Sequence, residues 1–144
     1  MKNYTFTSHS SEETMKFAEK LASTLHIGDV VVLSGELGSG KTKFTEGFLR
    51  FFGLDSEISS PTFNIVNEYS RDDVKIYHFD VYRLNDVSEF YAIGGDEYFL
   101  SGICLIEWGE LIDEALPENC IRISFEKDDT DENIRYLHIL GWFA

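Results

Sequence analysis

The sequence predicts an α/β domain with a mixed, mostly parallel sheet, flanking helices and a C-terminal β-hairpin. Three observations carry this. Short apolar runs without alternation, "VVVLS" at 30–34 and "GICLIEW" at 102–108, read as strands covered on both faces. Amphipathic helical stretches are interleaved with these runs, as in α/β chains. The chain closes with "NCIRISFEK" and "NIRYLHILGW" around the polar turn "DDTDE", the pattern of an antiparallel hairpin. With 144 residues, 43% of them hydrophobic, there is enough apolar material for one core, so residues 1–144 are expected to form a single domain.

Each element has its own local reason. "SSEETMKFAEKLASTL" reads as a helix capped by Ser10, with Glu13 three residues on completing a capping box. Ala18, Leu21, Ala22 and Leu25 form its apolar stripe, and Gly28 breaks it. After the 30–34 strand and a glycine-rich stretch, "KTKFTEGFLRFFG" predicts a helix ending at Gly53, with Phe44, Phe48, Phe51 and Phe52 on one face. Pro61 opens "TFNIVNEY", a strand. "RDD" is a turn, and "VKIYHFDVY" at 74–82 is the next strand. "DVSEFYAI" predicts a short helix stopped by Gly94 and Gly95, and "GELIDEAL" a helix before Pro117.

Composition narrows the function. The formal net charge is −14, with only twelve Lys and Arg, so the molecule as a whole repels nucleic acid and acidic membranes at long range. Cys104 and Cys120 are too few and too isolated for a disulfide framework or a zinc site, and both sit in apolar runs as buried thiols. The N-terminus lacks a signal-peptide pattern and no window is apolar over a membrane-spanning length; a cytoplasmic protein without membrane contact is expected.

The chemistry is concentrated in "SGELGSGKTKF", residues 34–44. Gly35, Gly40, Lys41 and Thr42 fit G-x-x-x-x-G-K-S/T, and a buried strand precedes the match while a helix follows it. In such a P-loop, backbone N–H groups turn inward around a phosphate, and glycine keeps side chains out of the way. The helix N-terminus adds its dipole. Gly35, Glu36, Leu37, Gly38, Ser39, Gly40, Lys41 and Thr42 are therefore the candidate nucleotide cradle, with Lys41 on the outer phosphates and the Thr42 hydroxyl on magnesium. The fold class sharpens to a single P-loop NTPase domain.

Such a loop works with an acid at the end of a neighbouring strand. Asp80 ends "VKIYHFD" and Glu107 ends "GICLIE", and both are candidates. Thr62, after the rigid Pro61 in "SSPTFN", fits a switch loop that senses phosphate or metal; the same residues also fit a simple strand start. Trp108 either lies over the nucleotide or packs in the core. Strand alternation puts His78 on the same face as Asp80, where it reads as a structural residue.

Taken together, "SGELGSGKTKF", "SSPTFNIVNEY", "YHFDVYRL" and "ICLIEWGE" resemble, in order, the signature blocks of the TsaE family, bacterial P-loop ATPases that support threonylcarbamoyladenosine formation in tRNA. The resemblance implies a small mixed sheet and slow ATP hydrolysis. It also implies action with a carbamoyltransferase, TsaD, and its inactive paralogue, TsaB, in a complex that ATP turnover resets. By motif, Lys41 would bind phosphates, Thr42 and Glu107 magnesium, and Asp80 would serve hydrolysis or switching. Thr62 would belong to the switch loop, and Trp108 would lie close to ATP or ADP. The family often has a second Thr where this chain has Lys43, "YAIGGDEYF" is only loosely similar, and the C-terminal hairpin carries no motif. The acidic charge fits tRNA contact made mostly by partners, and no contact with DNA. Two other readings stand beside this one: a nucleotide-gated binding module in which hydrolysis is incidental, and a small-molecule P-loop kinase. The scattered Arg50, Arg71, Arg83, Arg122 and Arg135 offer no arginine-rich lid for the kinase.

Overall fold

The computed structural model describes residues 3–36, 38–57 and 65–142. Seven strands form one sheet: β1 (Asn3–Ser8), β2 (Val30–Gly35), β3 (Val66–Arg71), β4 (Val74–Asp80), β5 (Ile103–Glu107), β6 (Ile121–Lys127) and β7 (Arg135–Leu140), in the spatial order β1-β7-β6-β2-β5-β4-β3. β6, β2, β5 and β4 run parallel, while β3, β7 and β1 each pair antiparallel with a neighbour. This is the mixed, centrally parallel sheet expected from the sequence. No helix among the described residues is long and apolar enough to cross a membrane.

The apolar runs take the middle of the sheet because both of its faces are covered there. On one face lie α1 (Ser11–Ala22) and α2 (Lys41–Phe51), whose Leu21, Phe44 and Phe48 meet Val31, Leu33 and Leu105. On the other, α3 (Val87–Ala92) and the 3-10 segments Gly95–Leu100 and Gly109–Ala115 cover Val32, Phe79 and Ile106. Towards β7 and β1 one face stays polar. His138 pairs with Glu126 and contacts Thr5 there, and these strands alternate accordingly.

The Ser10 cap behaves as the sequence predicts: its hydroxyl accepts from the Glu13 amide, while the Glu13 carboxylate meets His9. Asp86, which the sequence reading did not single out, caps α3 in the same way by accepting from the Glu89 amide. Four expectations change. β1 is a strand the sequence reading did not include; its Tyr4 and Phe6 face inward and stack on Phe17. Phe51 is 45% exposed rather than part of the buried face. The chain turns at Gly53, φ 73°, and Phe52 packs back against Phe48 in its place. "GELIDEAL" is a 3-10 segment kinked at Ile112 rather than an α-helix, because Ile112 is its one fully buried anchor and pulls the turn inward. Of the "TFNIVNEY" strand, β3 begins at Val66, and Pro61 and Thr62 lie outside the described residues.

The acidic turn between β6 and β7 is organised around one side chain. Asp128 accepts from the Tyr136 hydroxyl and from the amides of Thr130 and Asp131. The Tyr136 hydrogen bond, and then those amides, hold the Asp128 carboxyl far below the usual carboxylate range.

α1 and α2 cross at Gly47. A Cβ there would lie 2.4 Å from the Met15 carbonyl oxygen and 2.5 Å from its Cα. Arg50 of α2 clamps the same crossing by donating to Glu12 and Glu19 of α1. Alanine in place of Gly47 improves helix propensity by about 1 kcal/mol. The obstructing atoms are backbone and cannot rotate aside, so overpacking of about 1–3 kcal/mol wins. Gly47→Ala is expected to lower the thermal midpoint by roughly 3–6 °C, followed by circular dichroism.

Burial pushes the Cys104 thiol up to about 12 and raises that of Cys120 as well. Neither thiol is then ionised appreciably at pH 8. Both are expected to resist iodoacetamide in the folded protein and to alkylate fully in urea, as counted by mass spectrometry.

Candidate functional site

The carboxyl ends of β2, β5 and β4 come together, the edge where open α/β sheets place their ligands. Registry does the positioning. Leu33 of β2 pairs with Glu107 of β5, and Glu107 pairs with Asp80 of β4. Glu107 therefore stands between the glycine loop and the second candidate acid.

The loop has the backbone that its glycines permit. Gly35, Gly38 and Gly40 have φ of 145°, 78° and 111°. A Cβ on Gly35 would sit 2.8 Å from both the Phe125 carbonyl oxygen and Ser39 Oγ. Gly40 caps α2 without a side-chain hydrogen bond, and the first turn of α2 holds no acidic residue, unlike those of α1 and α3. Its N-terminal amides and dipole thus face the loop without a carboxylate of their own. Ser39 is 1% exposed, and its hydroxyl has no hydrogen-bond partner among the described residues. A buried hydroxyl beside the first amides of a helix is an arrangement that suits an anion. Glu36 is exposed, and its carbonyl accepts from the Ser39 amide.

Lys41 opens α2 and is 8% exposed. Its Nζ lies 3.8 Å from Glu107 Oε1 and 4.7 Å from the centre of the Trp108 ring. Trp108 is left-handed, with φ 65°, and its ring also meets Tyr82 at 5.1 Å. His78 Nε2 lies 2.7 Å from Glu107 Oε2. Burial acts to raise the Glu107 carboxyl. The hydrogen bond from His78, with the attraction of Lys41, outweighs it, and the group stays below the usual carboxylate range. An ionised, partly buried carboxylate beside a lysine suits both metal ligation and phosphate chemistry. Asp80 is half-buried and accepts from the Tyr82 amide. Thr42 is exposed at the first turn of α2.

Gly35, Gly38, Ser39, Gly40, Lys41, Thr42, Glu107 and Trp108 are thus brought to one place, with Asp80 next in register. Leu37 and Thr62 lie outside the described residues. Trp108 packs against the core layer of Val32 and Ile106, and its ring also faces the Lys41 ammonium.

Three neighbours were not recognised in the sequence. His78, read there as structural, reaches Glu107. Arg135 donates to the Gly38 carbonyl, and Lys127 Nζ lies 3.4 Å from where a Gly38 Cβ would stand. Lys127 and Arg135 are direct cross-strand partners, so the hairpin that carries no motif delivers two cations to the loop. The signal was a Lys and an Arg flanking the acidic turn, visible only once the hairpin register is set. Beside the loop, a cavity of about 200 Å³ is lined by Ser10, Thr14, Lys43, Asn133 and Arg135 among others.

A glycine loop between a parallel strand and a helix, a lysine and threonine opening that helix, and an acid closing the adjacent strand define the P-loop NTPase class. The chain matches the family described as threonylcarbamoyl adenosine biosynthesis protein TsaE over residues 8–135. It is 42% identical over 133 residues to the Bacillus subtilis (strain 168) protein named tRNA threonylcarbamoyladenosine biosynthesis protein TsaE, covering 92% of this chain and 83% of that one. It is 39% identical over 129 residues to the protein of the same name from Rickettsia conorii, covering 89% and 74%. The crystal structure of YdiB from Bacillus subtilis superimposes with a TM-score of 0.78 at 36% identity, covering 96% of this chain and 84% of that one. The chain belongs to the TsaE family.

Gly35→Ala drives a methyl group into the Phe125 carbonyl and the Ser39 hydroxyl at once. It is expected to weaken ADP binding by at least about tenfold, roughly 1.4 kcal/mol, in calorimetry, with a parallel loss of thermal stability.

Proposed function

We propose that residues 1–144 act as one P-loop ATPase domain. It binds ATP, hydrolyses it slowly, and serves as an accessory subunit for threonylcarbamoyladenosine modification of tRNA in the cytoplasm. The observation that carries this reading is the Lys41 ammonium held between Glu107 and the Trp108 face, below an acid-free helix N-terminus and a Ser39 hydroxyl with no partner among the described residues. The phosphates take the loop amides, Lys41 and the nearby cations Lys127 and Arg135. The nucleoside takes the adjoining cavity, with Arg135 at the boundary.

The donor set fits magnesium: the Thr42 hydroxyl and the Glu107 carboxylate, with Asp80 next to Glu107 in register, are hard oxygen ligands. When bound, the ion supplies charge neutralisation across the phosphate oxygens. The rest is the work of the chain. Glu107 and Thr42 fix the ligand geometry, Asp80 serves hydrolysis or the switch, and Trp108 shields Lys41 from water. The family resemblance extends the role to partners: the ATPase cycle resets a TsaD–TsaB complex that carries the tRNA. Thr62 belongs to the switch in this reading.

A second reading, a nucleotide-gated binding module, is favoured by one observation. The contact from Lys41 through Trp108 to Tyr82, which is 63% exposed, links the phosphate site to the surface without chemistry.

Lys41→Ala is expected to weaken ADP binding about 10- to 100-fold, the roughly 1.5–3 kcal/mol of a charged hydrogen bond, with no binding change on mutating exposed Lys16. Unchanged affinity in Lys41→Ala sinks the nucleotide reading. Glu107→Ala is expected to lose both ATP turnover and tRNA modification with TsaD and TsaB. Lost turnover with modification retained makes hydrolysis dispensable and selects the binding module.

A further inference from the structure

His78 sits in β4, 4% exposed, on the same sheet face as the fully buried Ile76. Packing alone favours another aliphatic residue here. Instead the strand carries an imidazole with Nε2 at 2.7 Å from Glu107 Oε2, while its Nδ1 is buried and has no hydrogen-bond partner among the described residues. Buried polar atoms are nearly always paired, and an orphan calls for a reason. A proton on Nδ1 would strand a donor that no described residue receives. The geometry therefore assigns the neutral tautomer, with Nε2–H donating to Glu107 and a lone pair on Nδ1.

The two oxygens of Glu107 then have different tasks. Oε2 is tied to His78, and Oε1 faces Lys41 at 3.8 Å. A glutamate side chain has three rotatable bonds, and one short hydrogen bond from a buried ring on the neighbouring strand removes most of that freedom. Strand pairing makes the arrangement rigid: His78 pairs with Leu105, two residues before Glu107, so both groups rise from one parallel ladder. Partners of this kind fix ligand orientation and tune affinity at metal sites.

We propose that His78 is a positioning residue for nucleotide-linked metal binding: its Nε2–H holds the Glu107 carboxylate in the one orientation that leaves Oε1 free for the divalent cation that comes with the phosphates. This rests on the nucleotide reading above and adds to it the residue that orients its carboxylate.

The test compares two replacements of similar size and polarity. Glutamine at 78 places an amide N–H near the position of Nε2, whereas asparagine falls short of Glu107. ADP is titrated calorimetrically into wild type, His78→Gln and His78→Asn, once with excess Mn²⁺ and once with EDTA. The ratio of the two affinities is the metal increment. His78→Asn is expected to reduce that ratio about tenfold while leaving the EDTA affinity at the wild-type value, and His78→Gln to keep it within about twofold. Equal ratios in the two variants, or an EDTA affinity that falls in step with the ratio, overturn the proposal, since a packing role predicts either. Wild type that binds ADP in neither condition overturns the nucleotide reading itself and is seen before any variant is compared. Independently of both variants, long-range ¹H–¹⁵N spectra of the wild-type protein are expected to show the His78 proton on Nε2; a proton on Nδ1 alone overturns the proposal even if neither variant folds.

Discussion

The site depends on one constraint: the parallel register of β2, β5 and β4. It sets Glu107 beside Leu33 just before the glycine loop turns, and Asp80 beside Glu107. A shift of one residue in β5 would send Glu107 to the opposite face and point Ile106 at the loop. The register is secured by burial on both sides, where Val31, Leu33 and Leu105 meet α1 and α2 and Val32, Phe79 and Ile106 meet the other layer. Ordinary core packing thus fixes the place of a carboxylate beside the loop. The ionised groups that result are tolerated because each has a neighbour. Lys41 has Glu107 and the Trp108 face, and Glu107 has Lys41 and His78. A lone buried charge in this position would be strongly destabilising.

The same clustering links Lys41 to the surface. Lys41 is engaged by Glu107 and by the Trp108 ring. Trp108 follows a left-handed backbone turn, an unusual conformation for a bulky residue, held by the packing of its ring and by its amide bond to the Leu33 carbonyl. Its other contact, Tyr82, is largely exposed. Lys41 and the molecular surface are thereby joined through two rings.

Much of this was legible in the sequence, for identifiable reasons. β2 and β5 are read from their apolar runs because both faces are covered, and the glycine loop is read because steric demand leaves few residues that fit Gly35 and Gly40. β1 was not legible: six residues alternating Tyr and Phe with Thr and Asn, beside a strong helix-capping signal, look like a polar lead-in until β7 is present to pair with them. Phe51 followed the helical period, but a turn at Gly53 substitutes Phe52, and no helical pattern encodes that fold-back. His78 had the right face but no visible partner, since the offset between β4 and β5 is set by tertiary packing. Lys127 and Arg135 are eight positions apart in sequence and become neighbours of Gly38 only through the hairpin and its β2–β6 pairing.

The charge distribution resolves an apparent conflict. A chain of net charge −14 repels polyanions, yet its best-formed site is built for one. Screening separates the two scales. At physiological salt the repulsion fades over about 8 Å, so a small anion that reaches the loop is governed by what lies within that radius. There it meets Lys41, Lys127, Arg135, the glycine-loop amides and an N-terminal helix turn without acid. A polynucleotide has no such escape, because its phosphates span the whole acidic surface and binding it requires a continuous run of cations. The cations here are gathered at one loop. The charge pattern of the molecule therefore favours one compact anion at the loop over a long polyanion laid across the surface.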